Sequence, residues 1–351
     1  MSTSVMSART PALALPAVSR LWSVLARREL QLILVMVVIT LVSIHEQPAF
    51  WLPRVISNVF ITAMVTIFVS LGQTFVMLTR GIDLSVAPIL GISAVVVGFA
   101  AQNHGLNLWL GCLLGAAIGA GLGIGNAILV SWFRLPPIIA TLGTFSVYGG
   151  VQFLITNGRQ VTQIPEQYTS YGIATHTIVP RVPTILVAGI VATILVSLVL
   201  KHTVFGRNVY ATGNDADAAF RAGIPVRRVT FLAYVICGLF AGLAGVVYLT
   251  RTGSADALTG TQTNENLNAI AAALLGGTAL TGGRGTAWGS FLGSVFLALT
   301  LSSMGIAFHI ANEWQPAGIG VLILLAVVAD PRARRGGALA ALRLRLRKVL
   351  R

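Results

Sequence analysis

The sequence predicts an all-α, polytopic integral membrane protein with about ten transmembrane helices and both termini in the cytoplasm. Three observations predict it. Of 351 residues, 55% are hydrophobic and 10% charged, against about 25% charged in an ordinary soluble chain. A series of apolar runs, each near the roughly 20 residues that a spanning helix needs, fills the middle of the chain. The basic residues alternate in density from loop to loop in the way that sets membrane orientation. Mean hydropathy of +0.83 excludes a soluble enzyme and a disordered chain. The net charge of +14 would suggest nucleic acid in a soluble protein. Here it reads as a topology signal, and no nucleic-acid partner is expected.

Three regions follow. Residues 1–29 form a cytoplasmic segment that carries Arg9, Arg20, Arg27 and Arg28 and does not read as a cleaved signal peptide. Residues 30–330 form the membrane domain, with apolar runs near 30–44, 58–78, 86–101, 108–132, 136–156, 182–200, 229–250, 266–280, 287–306 and 315–329. The run at 266–280 is rich in small residues and reads either as a full span or as a re-entrant helix, allowed where protein surrounds it. Residues 331–351 form a basic tail. Its Leu342-Arg343-Leu344-Arg345-Leu346-Arg347 stretch fits an amphipathic segment on anionic lipid or a plain topogenic tail.

With the N-terminus inside, ten spans put twenty basic residues in inside segments. They leave only Arg54, Arg159, Arg181 and Arg251 outside. One missed span would invert every later loop. The longest outside loop is 157–181 and the longest inside loop is 201–228. Thr79-Arg80-Gly81 with Leu90-Gly91 is weakly echoed by Thr281-Gly282-Gly283 with Leu292-Gly293, the kind of internal repeat found in transporters.

Gly111, Gly115, Gly119 and Gly123 recur every fourth residue. That spacing strips one helix face of side chains, so that a neighbouring backbone can approach closely. In the inside loop, Asn214 precedes Asp215-Ala216-Asp217-Ala218-Ala219-Phe220-Arg221-Ala222, and Gly223 follows. Asn is a good N-cap, early aspartates and a late arginine suit the helix dipole, and Gly supplies a left-handed stop. This predicts a short helix over 214–223. It serves either to dock a soluble partner, with Ala219 facing a groove, or to order the loop on its own membrane domain.

The span centres read as free of Asp, Glu, Lys and Arg, which disfavours a proton relay. Asp83 sits at an inner edge, where it would cap the next helix. Only Lys201 and Lys348 are lysines, and neither follows a glycine, so the chain lacks a P-loop. No zinc or nucleophile motif appears, Cys112 and Cys237 lie in apolar runs, and neither cofactor, metal nor enzyme activity is expected. The polar residues within or beside the runs are neutral: Gln73, Thr74, Thr141, Thr144, Ser146, Asn264, Asn266 and Asn268. They suit the path of an uncharged polyol, or hydrogen bonds between helices.

Four stretches carry a resemblance. They are Gly81-Ile82-Asp83-Leu84-Ser85-Val86; Pro136-Pro137-Ile138-Ile139-Ala140-Thr141-Leu142-Gly143; Gly206-Arg207 through Tyr210-Ala211-Thr212-Gly213-Asn214 to Ala218-Ala219 and Gly223-Ile224; and Leu267 through Ile270-Ala271-Ala272 to Gly276-Gly277 and Gly282-Gly283-Arg284-Gly285. In order and spacing they resemble the inner-membrane permeases of bacterial ABC sugar importers, the group serving ribose, xylose, arabinose, rhamnose and the autoinducer furanose. The resemblance covers about residues 55–330. It implies a second permease subunit, a separate ATPase subunit docking on the loop that holds Gly206, Arg207, Gly213, Asn214, Asp215, Ala218, Ala219, Arg221 and Gly223, and a periplasmic sugar-binding protein. The chain departs from the group at Ala87, at Phe220, and near Asn268, where the group commonly has an acidic residue. The rival reading is an ion-coupled secondary sugar transporter.

Overall fold

A computed structural model describes residues 28–172, 177–179, 182–183 and 185–329. The basic tail and nearly all of the N-terminal segment lie outside the described residues.

Each apolar run contains a helix. The first, α1 (Arg28–Glu46), shows Val35, Val38 and Leu41 outward and is pinned where Ser43 Oγ donates to Ser303 Oγ at 2.9 Å. A proline opens α2 (Pro53–Leu78) at the position where its missing N–H costs nothing. This helix is the axis of the bundle, buried from Ile61 almost without break to Leu78. Then come α3 (Val86–His104), α4 (Leu108–Ser131) and α5 (Pro137–Thr156). Asn107 caps α4 by accepting from Leu110 N at 2.9 Å.

The loop after α5 holds α6 (Glu166–Gly172) and a two-stranded antiparallel hairpin of β1 (Thr177–Val179) and β2 (Val182–Pro183), so the fold is not purely helical. After α7 (Leu186–His202) the chain bends by 73° into α8 (Val204–Asn214). There follow α9 (Ala216–Arg221), α10 (Val226–Thr252), α11 (Glu265–Leu275), α12 (Ala287–Ser302) with a π-turn over Ser303–Ala307, and α13 (Gln315–Ala329).

Seven of these helices are long and apolar enough to cross a membrane among the described residues, or eight if the bent pair α7–α8 counts as one span. The other two of the ten expected runs hold the shorter helices α11 and α13. At about 1.5 Å per residue, the 11 residues of α11 cover about 16 Å, half of a hydrocarbon core of about 30 Å. The chain supplies the other half without regular structure. Val161 and Ala255 exchange backbone hydrogen bonds of 2.8 and 3.2 Å at one end of the bundle, and Gly283 N donates to Leu78 O at 3.0 Å at the other. The stretch from 256 to 282 therefore runs from end to end as an irregular descent followed by the half-length α11. Gln152 Nε2 satisfies the descent by donating to the carbonyls of Asp256 at 3.0 Å and Thr259 at 3.1 Å. Irregular backbone survives at this depth because protein covers its polar groups.

The spacing of the glycines in α4 is realised as a face. The buried residues of its first two-thirds are Gly111, Gly115, Gly119 and Gly123. The last three lie against Gly238 and Gly242 of α10, whereas Gly111 lies against Tyr168 of α6. The faint repeat has a backbone counterpart: Arg80 and Gly282 both adopt left-handed φ, 68° and 79°, and their two loops touch.

Candidate functional site

Two places gather polar chemistry. The first is the end of the bundle built from loops 79–85 and 276–286 and from α8 and α9. Thr203 caps α8 by accepting from Gly206 N at 3.0 Å. Gly206 packs against the carbonyls that end α7, and Arg207 is exposed. At the far end of α8, Gly213 touches Leu78 so closely that a Cβ would strike the Leu78 carbonyl. Arg80 Nε donates to Gly213 O at 2.7 Å, and Arg80 Nη2 donates to Asn214 O. A guanidinium on the last carbonyls of a helix satisfies their lone pairs and complements the dipole. Tyr210 OH adds a bond to Gly285 O at 2.8 Å. The loop helix is thereby tied to the C-terminal end of α2 and to the turn after α11.

The short helix itself differs from expectation at its start. Asn214 is the last residue of α8, and the cap of α9 is Asp215, which accepts from Asp217 N at 3.0 Å and Ala218 N at 2.9 Å. The bond from Ala218 N is the main cause holding the Asp215 carboxyl below the usual carboxylate range; Asp217 N and the charges of Arg221 and Arg80 act in the same sense. The stop is as expected. Gly223 has φ +82°, Gly223 N donates to Phe220 O and Ile224 N to Ala219 O, both at 3.0 Å. Ala219 faces its own protein and is buried, so it does not face a groove on a partner; Asp217, Ala218, Phe220 and Arg221 are outward.

Next to this platform lies a buried network around Asp83, which is wholly inaccessible. Asp83 Oδ1 accepts from Ser85 N at 2.9 Å and Ser85 Oγ at 2.7 Å, and Asn126 Nδ2 reaches Asp83 Oδ2 at 3.2 Å. Thr144 Oγ1 donates to Asn126 Oδ1 at 2.6 Å, and Thr141 Oγ1 to Ile82 O at 3.1 Å. Thr141 and Thr144 thus brace the turn before α3. Asp83 braces it too, from two residues before the helix cap. Gln73 and Thr74 are also packed between helices: Gln73 Oε1 accepts from Cys237 Sγ at 3.6 Å, and Thr74 Oγ1 pairs with Ser290 Oγ at 2.6 Å.

The second place is a cavity of about 460 Å³ within the bundle. Thr62 and Thr66 of α2, Arg251 of α10, the irregular residues Gln262, Thr263 and Asn264, and Glu265 and Asn268 of α11 line it, together with residues of α12 and α13. Asn264 and Asn268 are brought together here, whereas Asn266 is half-buried outside the lining. Glu265 is a correction. It lies 5% exposed beside the middle of α2, where Thr66 Oγ1 donates to Glu265 Oε2 at 3.2 Å. The bundle interior therefore does hold a carboxylate, and the acidic residue thought missing near Asn268 stands three positions before it. The signal was present in Asn264-Glu265-Asn266, but polar residues flanking an apolar run read as a loop in water.

The description of the family model that matches residues 55–327 is the permease component of a branched-chain amino acid transport system. Among relatives, an autoinducer 2 import system permease protein of Photorhabdus luminescens is 33% identical over 303 residues, covering 86% of this chain and 89% of that one. Proteins of the same description from Yersinia enterocolitica (35% over 276 residues; 79% and 75% covered) and an Enterobacter strain (34% over 313 residues; 89% of each) are similarly close. No solved structure matches. Permeases of this kind move solutes and are not enzymes. With its bundle of apolar helices and its four motifs in order, the chain belongs to this family of membrane transport permeases, in the ABC importer group that those motifs resemble.

Proposed function

We propose that the chain is the membrane subunit of an ATP-driven importer in the bacterial inner membrane. It passes a sugar of the pentose, deoxyhexose or related furanose class, the autoinducer that its relatives are named for being the first candidate. A periplasmic binding protein delivers the sugar, a second permease subunit completes the pathway, and a separate ATPase hydrolyses ATP. The observation that carries this reading is the α8–α9 platform. A capped helix projects Phe220 outward, and its base is clamped by Arg80 to the inner end of α2 and to the turn that follows α11. A push on α9 is passed to the half-length helix whose start lines the cavity. A connector would need neither the cap nor the clamp.

The ion-coupled reading gains one observation, the buried Glu265, since intramembrane carboxylates serve ion coupling. Energy source separates the two. Uptake of labelled autoinducer 2 by vesicles holding this chain, its ATPase and binding protein should need ATP and survive collapse of proton and sodium gradients. Gradient-driven uptake by vesicles holding this chain alone would sink the importer.

Orientation follows from the charge split. Reporter fusions after Arg228 and Arg351 should report cytoplasm, and one near Gln167 periplasm. A periplasmic signal at Arg351 would mean that the 256–282 stretch does not count as a crossing.

A further inference from the structure

The cavity is lined by both polar and apolar residues. Asn268 is 6% exposed and its Nδ2 donates to Thr263 O at 3.0 Å. That bond to a carbonyl fixes which amide atom is the nitrogen. It leaves Asn268 Oδ1 as a buried acceptor with no partner. Buried acceptors are nearly always paired, and leaving one empty is costly. Glu265 lies one helical turn away and adds carboxylate oxygens, of which Oε2 has Thr66 as donor. α12 and α13 add Leu297, Ala298, Leu301, Pro316 and Ile319 to the lining, with Gln315 as their one polar side chain. Arg251 lines the same cavity, so the formal charges of Arg251 and Glu265 offset each other. The site as a whole is then near neutral, and a solute with net charge of either sign gains nothing from it. The cavity lies where an irregular segment meets a half-length helix, the arrangement that forms solute sites in transporters.

We propose that this cavity is a subsite for a neutral cyclic polyol, with Asn268 Oδ1 and Glu265 accepting two hydroxyl protons from one edge of the ring and Leu297, Leu301 and Ile319 covering its C–H face. The inference rests on the sugar-importer reading and adds the residues that recognise the solute inside the membrane. A ring sugar carries these two faces together. A sugar phosphate would bring a charge that the carboxylate repels. A branched-chain amino acid is the competing occupant: its ammonium would go to Glu265, its carboxylate to Arg251 and its alkyl group to the apolar residues. It would have no use for the orphan acceptor of Asn268.

The test uses proteoliposomes holding the chain with its ATPase, supplied with binding protein and given labelled autoinducer 2, D-ribose, L-rhamnose or L-leucine. Uptake and ATP hydrolysis are read in the same vesicles. Asn268→Leu, which keeps the shape and removes the acceptor, should lower sugar uptake roughly tenfold or more while binding-protein-stimulated hydrolysis stays within about twofold. Asn268→Asp, protonated beside Glu265, restores both the donor to Thr263 O and a free acceptor, and should return uptake to within roughly threefold of wild type. Glu265→Gln keeps an acceptor and should be tolerated for a polyol to within about fivefold. Unchanged uptake in Asn268→Leu overturns the subsite. So does a parallel fall of uptake and hydrolysis in both Asn268 variants, which would mark a structural role. Leucine uptake that Glu265→Gln abolishes and Asn268→Leu spares would make the cavity an amino acid site. A wild type that carries none of the sugars fails earlier, at the function itself, and takes this inference with it.

Discussion

Phe220→Asp is expected to leave the chain inserted in the membrane and to separate it from its ATPase. Phe220 is 73% exposed at the outer side of α9, a place where an aromatic side chain serves no core. Exposed aromatics that anchor an interface each contribute about 2 kcal/mol or more, so loss of one weakens association roughly 30-fold. An aspartate at that point would also have to be desolvated without a partner. The motor's motion would then not reach α9, and ATP-dependent uptake should fall to background. Because most of the side chain is exposed, the cap at Asp215 and the stop at Gly223 should stay intact. Ala219→Trp is a poorer probe than it looks in sequence, since Ala219 is buried under its own chain and Trp would damage the loop whatever the partner does. Gln167→Ala, at the other end of the bundle and exposed, should leave co-purification unchanged. If the Phe220→Asp protein still brings down the ATPase at normal stoichiometry and transports normally, α9 is only an ordered connector.

Why α9 was half legible has a physical answer. Cap, dipole and glycine stop are local signals, and the helix they predict exists. Its start was off by one because Asn214 and Asp215 are comparable caps, and the choice between them was made by α8, which extends to Asn214. Nothing flagged α8 itself. Gly206 and Gly213 lower helix propensity, and they are retained because Leu78 and the end of α7 press against them. The long spans were legible for the opposite reason: lipid imposes length and apolarity on every residue, so composition alone reveals α2, α3 and α10.

The interior was less legible. Hydropathy assigns polar stretches to water, yet residues 256–264 descend into the bundle, covered by Gln152 of α5 and the N-terminal half of α3. That cover is a tertiary fact with no local signature. It is why the apolar run begins only after Glu265 and why the span centres read as free of acids. The neutral polar residues divide for the same reason. Gln73, Thr74 and Thr144 bond across helices and Thr141 bonds to the turn before α3, while Asn264 and Asn268 line the cavity. Residue type and spacing are alike in both sets, so only packing separates them. The difference bears on energy coupling, since the argument against an ion-driven carrier can no longer rest on an absence of buried charge and rests on the α8–α9 platform instead.

Gly119→Ala and Gly121→Ala should have opposite effects on stability, though they make the same chemical change two residues apart in one helix. A Cβ at Gly119 would strike the Gly238 carbonyl and lie 2.7 Å from Gly242 N and 2.8 Å from Gly242 Cα on α10. All three are backbone atoms, which cannot rotate aside. The helices must separate, and Gly115 and Gly123, seated on the same partner, lose their contacts too. Lipid supplies no hydrophobic drive to hold two helices together, so close packing is what binds them. Overpacking of this kind costs about 1–3 kcal/mol, occasionally more. At Gly121 nothing lies within 4 Å of the added methyl, and replacing glycine within a helix stabilises it by about 0.5–1 kcal/mol. The two variants should therefore differ by about 2–4 kcal/mol, read as denaturation midpoints of the detergent-purified protein, with Gly119→Ala accumulating poorly in the membrane and Gly121→Ala at or above wild type. Gly242→Ala, on the other side of the same contact and directed at the Gly115 carbonyl, should behave as Gly119→Ala does. Equal midpoints for the Gly119 and Gly121 variants would mean that α4 and α10 tolerate a wider spacing. The four-residue glycine period would then reflect something other than backbone contact.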